Sequence, residues 1–155
     1  MTVTQKLQLL LTFIMGIFLS GCTVFQTPEP RLPKKLAVRI FNITPQRAAL
    51  KIEGIYYNPN NFGFTFKSGD LELMLDTFLL GKVHIDTMIN VPAHALFTVP
   101  VTVAPDFNKL GQTGINLEDS VHISFKGTMK GSVGWFSKTI HIAYDGRHYL
   151  DLQMN

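Results

Sequence analysis

The side chains here with chemistry to offer are His84, His94, His122, His141 and His148, the lone thiol of Cys22, and a few carboxylates. His84 and Asp86 are two apart and share one face of a strand. His122 and His141 fall across a hairpin, diagonal to each other. Two imidazoles and one carboxylate are a donor set for a mononuclear metal site. Alternation along a half-buried strand puts polar residues at the same positions anyway. His84, His122 and His141 each fall between apolar positions, as solvent-facing residues should, so no metal site and no cofactor are expected. Glu118-Asp119 is the one adjacent carboxylate pair in the region after residue 35, and neighbours on a strand point apart. That pair is read as opening a turn. The chain has no Gly-x-Ser-x-Gly, no phosphate loop and no His-Glu-x-x-His. We expect no catalytic residues and no enzyme.

The thiol carries a more specific signal. Lys6 precedes Leu7 to Phe18, a stretch interrupted only by Gln8, Thr12 and Gly16. That length suits the core of a secretory signal and is short for a membrane span. It ends in Leu19-Ser20-Gly21-Cys22, where small residues admit a peptidase and the thiol can be alkylated. The pattern resembles the lipobox of bacterial lipoproteins. The resemblance implies a signal peptide over 1–21 and Cys22 as the first mature residue, bearing a diacylglyceryl thioether and an N-acyl chain. Two lipid chains already suffice for stable attachment. Enterobacterial lipoproteins with Asp after the cysteine stay in the inner membrane. Thr23 therefore points to a bacterial cell envelope address at the outer membrane.

Residues 22–35 contain Pro28, Pro30 and Pro33 and read as an extended tether, with a reach of roughly 40 Å if polyproline-like. The net charge is +3, charged residues make up 16%, and the longest Lys/Arg run is Lys34-Lys35. Nothing in that balance tracks a phosphate backbone, so no nucleic-acid partner is expected.

Residues 36–155 read as strands. Leu36, Val38 and Ile40 alternate with Ala37, Arg39 and Phe41 in a strand that runs to about Ile43, and Thr44-Pro45-Gln46 is a turn. Ala48, Leu50 and Ile52 open a long strand whose apolar set shifts to Ile55 and Tyr57, which a bulge at Gly54 would explain. Asn58-Pro59-Asn60 breaks it, since Pro59 has no N–H for a ladder and asparagines bond their own backbone. Phe62–Phe66 form the next strand, Ser68-Gly69-Asp70 a turn, and Leu71, Leu73 and Leu75 another strand. Leu80-Gly81-Lys82 lies close to a hairpin corner, with Val83, Ile85 and Met88 on the return strand. After Val91-Pro92-Ala93, residues Phe97 to Val103 alternate around Pro100, which argues for an edge strand or a bulge. Asp106 caps a short helix over 105–111. The last hairpin pairs Ile123 with Ile142 and Phe125 with Ile140 around a tip at Gly131-Ser132-Val133-Gly134. Phe136 points to the core and Trp135 outward, either as a contact for a membrane or partner or lying flat over its cross-strand neighbour. Asp145-Gly146 is a turn before a last strand at Tyr149 to Leu152. The fold class is all-β: an antiparallel immunoglobulin/fibronectin-III-like β-sandwich of about seven or eight strands with one short helix.

Asn58-Pro59-Asn60, then Leu71-x-Leu73-x-Leu75, Leu80-Gly81-Lys82-Val83 and Val99-Pro100-Val101-x-Val103 follow in an order that resembles the late embryogenesis abundant type 2 family. This is also called the water-stress and hypersensitive-response (WHy) domain. The resemblance implies a fibronectin-III-like sandwich, stress protection and no catalytic residues. Asn58, Pro59 and Asn60 are expected to be structural. The expected partners are the membrane, through Cys22, and an envelope protein or apolar ligand held by the sandwich, with Trp135 as its contact.

Overall fold

The computed structural model describes residues 25–41 and 48–154. The signal segment 1–21, Cys22, Thr23 and the Thr44-Pro45-Gln46 turn lie outside the described residues. Strands follow as β1 (Glu29–Pro30), β2 (Lys35–Phe41), β3 (Ala49–Tyr57), β4 (Phe64–Leu75), β5 (Phe78–Val91) and β6 (Leu96–Val103). A helix, α1 (Phe107–Gln112), precedes β7 (Ser120–Val133) and β8 (Phe136–Met154). The all-β fold with one short helix among the described residues agrees with the alternation. Asp106 caps α1 through Lys109 N–H, and that bond helps hold its carboxyl below the usual range.

The strands form one hydrogen-bonded sheet that curls until its edges meet. β6 pairs with β3, β3 with β2 and β1, β2 with β8, β8 with β7, β7 with β4, and β4 with β5. The β3–β6 half faces the β4–β7 half across the core. Tyr56 of β3 meets Phe125 of β7 with ring centroids 6.3 Å apart, and Phe97 of β6 meets Phe64 of β4 at 5.7 Å. At the free edges, a Cβ on Gly81 of β5 would come within 2.7 Å of Val103 Cγ2 on β6. Phe66, Val99 and Val121 are the most enclosed apolar side chains.

Several sequence expectations change. One pair is parallel, β2 with β8, running from Lys35↔Tyr149 to Ile40↔Met154. The reading of Tyr149–Leu152 as a separate strand after an Asp145-Gly146 turn is replaced by a single β8. Gly146 instead makes room for the Tyr144 ring, whose atoms would lie 2.4–3.1 Å from a Cβ there. Gly54 carries no bulge: β3 pairs with β6 in unbroken register from Leu50↔Val103 to Tyr57↔Leu96. Its buried face is Leu50, Ile52, Gly54 and Tyr56 throughout, and the Tyr56 ring lies over Gly54. The Ser68-Gly69-Asp70 turn is strand. Both β4 ladders slip between Phe66 and Ser68: against β7 Lys67 is the extra residue, whereas against β5 the extra residue is on β5, where Thr87 and Met88 face Lys67 alone, and the core face of β4 switches parity there. The β4–β5 corner sits at Asp76-Thr77, shortly before Leu80-Gly81-Lys82, since Leu75 pairs with Phe78. Pro100 lies opposite Glu53 on β6, which pairs only with β3 and is an edge, as Pro demands.

The Pro-rich stretch is not a free tether from residue 25 onward. Phe25 packs on Phe62 and Phe64, Pro28 is enclosed, and Glu29–Pro30 pair with Tyr57–Tyr56. Arg31 N–H donates to Ile55 O at 2.7 Å, and the Lys34 carbonyl accepts from Tyr149 N–H at 2.8 Å. The folded unit therefore includes residues 25–35. Proline here closes off a short edge strand rather than holding the chain away from the domain.

Candidate functional site

The β3–β4 and β5–β6 loops and the incoming segment meet at one end of the sheet, where β3 and β5 finish. Asn58 ties them together and is 0% exposed. Pro59 cannot continue the ladder, so the chain turns and Asn58 points inward. Its backbone N–H donates to Ala95 O at 2.9 Å. Its Nδ2 donates to Phe62 O at 3.1 Å and Pro92 O at 2.8 Å. Its Oδ1 accepts from Asn60 N–H at 3.0 Å and Asn60 Nδ2 at 2.9 Å. Asn60 passes the network on: Nδ2 donates to Gln26 O at 2.8 Å, and Oδ1 accepts from Gln26 N–H at 2.7 Å. Both Nδ2 hydrogens of each asparagine are used on protein acceptors. The knot holds backbone from 26, 58–62 and 92–95 in register, and the Nδ2 hydrogens of Asn58 and Asn60 are all taken within it. Gln26 had no sequence signal, because nothing local marks a residue that bonds a loop so far along the chain.

His148 is 3% exposed and anchors the other end of the incoming segment. Its Nδ1 is 2.7 Å from Pro33 O, which only accepts, so Nδ1 carries the proton. Nε2, 2.7 Å from Tyr144 Oη, then accepts from that hydroxyl. Burial, and then the nearby Asp145, push the Tyr144 hydroxyl up, which keeps it a donor. His148 was only counted among the histidines from sequence. Its signal was its parity with Ile140, Ile142 and Tyr144 on β8.

The other histidines do not converge. In the β7–β8 register His122 faces Arg147 and His141 faces Thr128, so the two are far apart along the hairpin. The expected pairs Ile123–Ile142 and Phe125–Ile140 are replaced by Ile123↔Gly146 and Phe125↔Tyr144. The cause is the turn. It is the two-residue loop Gly134-Trp135, with Gly134 at φ 56°, the pattern of a II′ hairpin. His122 Nε2 sits 2.7 Å from Asp145 Oδ1. His84 Nδ1 sits 2.7 Å from Asp70 Oδ1, its direct partner across β4–β5, while Asp86 lies further along. Among the described residues no three His, Cys, Asp or Glu gather closely enough to hold a metal. Next to His84–Asp70, Glu72 bridges Lys126 at 3.2 Å and Lys82 at 3.5 Å across three strands, and these lysines hold its carboxyl below the usual range.

Asp70 beside His84, through its hydrogen bond first and its charge second, raises the imidazole above its ordinary value. The bond therefore favours the folded state below the unfolded histidine's pKa and fades as pH rises through the folded one. Asp70→Asn should move the His84 ring titration, followed by NMR, back toward the ordinary histidine midpoint. An unchanged midpoint would show that the pair does not form in solution.

At the hairpin tip Trp135 is 96% exposed and covers no cross-strand neighbour. Phe136, expected in the core, is 58% exposed. The hairpin runs past the start of β4, whose first ladder partner is Thr65↔Ser132, so Val133 to Phe136 have no third strand to cover them.

The described residues include no helix long and apolar enough to cross a membrane. No curated protein matches the sequence at a significant level. Among solved structures, the solution structure of a protein from Arabidopsis thaliana is similar, with 15% identity and a TM-score of 0.52 over 84% of this chain and 87% of that one. A crystal structure of a protein from Archaeoglobus fulgidus aligns with 7% identity and a TM-score of 0.46 over 83% of this chain and 99% of that one. The plant structure speaks to the fold alone. The profile of the Late embryogenesis abundant protein family matches residues 56–146, from the end of β3 through most of β8. With more than half of its length inside that match, the chain belongs to the late embryogenesis abundant protein family.

Proposed function

We propose that this is a lipid-anchored, non-catalytic protein of a bacterial cell envelope, in which a WHy-type late embryogenesis abundant domain serves stress protection at a membrane. The observation that carries the anchor is the lone cysteine at the end of Leu19-Ser20-Gly21, behind a short apolar run. Thr23 after it favours the outer membrane. The docked segment supports a close attachment: Phe25 is already packed on the domain, and Cys22 lies three positions before it. Three residues span at most about 10 Å, against the roughly 40 Å of a free tether. The Asn58–Asn60 knot supports a structural role for the sequence's most distinctive motif. The alternative, an envelope module holding an apolar ligand or a protein partner, draws on the exposed hairpin tip, and the experiment in the next subsection separates those surfaces.

Mass spectrometry of the membrane fraction tests the anchor. The mature chain should begin at Cys22 and carry the added mass of a diacylglyceryl group and an acyl chain. Cys22→Ala should lose that mass. A Cys22→Ala protein that keeps the parent's mass and membrane partition would defeat the proposal.

A further inference from the structure

The end of the sheet that holds Phe25 also carries the least explained surface of the protein. Val133, Trp135 and Phe136 stand exposed at a two-residue turn. Lysines ring them. Lys138 Nζ lies 5.6 Å from the centre of the Phe25 ring, and Lys67 Nζ donates to Ser137 Oγ at 3.5 Å. Lys130 is exposed one strand step further back. Residues 126–143 contain Lys126, Lys130, Lys138 and His141 and no carboxylate. The carboxylates on the neighbouring strands start further from the tip, at Asp70 on β4 and Asp86 on β5, and Asp70 is taken by His84. Glu29 in the incoming segment is paired with Arg31. The tip is thus apolar at its point, cationic at its shoulders and free of acidic groups.

Chain length fixes what it faces. Phe25 touches Phe64, which lies against Gly131 of the hairpin. Cys22 and the apolar run Leu7–Phe18 lie just before Phe25 in sequence. Whether the membrane holds a lipid on Cys22 or the apolar run itself, it is brought to this end of the domain. Aromatic rings, tryptophan above all, partition to the boundary between headgroups and acyl chains, and lysine stems reach from there to phosphates. Lysines near an anionic surface add an attraction that salt weakens.

We propose that the β7–β8 tip is a membrane-docking device: Trp135 and Phe136 enter the interface of the bilayer, and Lys67 and Lys138 meet anionic lipid headgroups. The domain would then stand end-on against the membrane, with its acid-bearing loops at Asp76 and Asp106 pointing away. The proposal rests on the membrane address given above but not on lipidation of Cys22.

Trp135 is the chain's only tryptophan, so the protein carries its own reporter. The full chain is reconstituted into vesicles of phosphatidylcholine and phosphatidylglycerol, with or without brominated acyl chains. Docking predicts a blue-shifted emission, quenching by the brominated lipid and protection from iodide. In Lys67→Glu/Lys138→Glu, checked by its melting curve, the chain should still float with the vesicles but lose most of the brominated-lipid quenching. On phosphatidylcholine alone the parent should be quenched less than on the anionic mixture. A chain that floats while Trp135 stays open to iodide overturns this inference alone. A chain that does not float overturns both this and the membrane address. Protection from iodide without lipid quenching means another protein or a second copy covers the tip, and also overturns it.

Discussion

Asn58→Ala is expected to melt about 15 °C below the parent while remaining folded, at roughly 4 °C per kcal/mol for a domain of this size. The substitution removes Nδ2 from Phe62 O and Pro92 O, and Oδ1 from Asn60 N–H and Nδ2. Each buried polar group left without a partner costs about 1–3 kcal/mol. Water reaches the partly buried Phe62 carbonyl, so the sum is on the order of 4 kcal/mol rather than the full total. Domain stabilities run roughly 5–15 kcal/mol, so the variant should still fold cooperatively. Asn60→Ala should cost less, because it releases mainly the Gln26 backbone, which water can take over. Thermal melts by circular dichroism decide it. An Asn58→Ala protein that melts like the parent yet loses a ligand or its membrane would make the knot a binding site.

Gly127→Ala should be of comparable size, for the opposite reason. Gly127 lies on β7, between Leu71 of β4 and Ile142 of β8. A Cβ there would fall 1.9 Å from Asp70 O and 3.0 Å from Leu71 Cα. These are backbone atoms of a paired strand, so no rotamer change relieves the clash. β4 and β7 would have to part at Asp70–Leu71, losing ladder bonds beside the core leucines. Overpacking of side chains usually costs about 1–3 kcal/mol. With backbone as the obstacle, a loss on the order of 4 kcal/mol is expected, read as a lower denaturant midpoint at unchanged slope. Gly111→Ala in α1, where nothing lies within 4 Å of the new methyl, is the control and should hold or slightly gain stability. A Gly127→Ala midpoint equal to the parent's would mean the Asp70 carbonyl swings aside freely.

Alternation made the strands legible, and so did Pro100 on an edge and Asp106 at a helix start. The glycines misled. Gly54, Gly69 and Gly146 read as bulges or turns, yet each lies within a strand where a ring, from Tyr56, Phe66 or Tyr144, crosses over it. A glycine that turns the chain and one that yields to a neighbour are the same letter, and only the neighbour tells them apart. Lys67 is the reverse case. The parity change from Phe64 and Phe66 to Leu71 and Leu73 is visible in the sequence and suggests a turn, although one extra residue relative to β7 in a continuous strand gives the same switch. At the site, Asn58-Pro59-Asn60 was readable as a break whose amides would satisfy backbone groups. The partners Gln26 and Pro92 were not, because long-range bonds leave no trace in local spacing. The same holds for Pro33 O on His148, and so the Pro-rich stretch read as a tether.

The parallel seam between β2 and β8 has a consequence for how the molecule is made. β2 finds β3 soon after both have emerged from synthesis. Its second edge waits for Tyr149 to Met154, more than a hundred residues further along the chain. Until then the curled sheet is open along that seam, with unpaired backbone groups that any passing strand can match. Pairing across nearly the whole chain also places the domain among the slower folders. The nascent chain stays an unfinished sheet until the residues from Tyr149 onward arrive, and only then does the seam close.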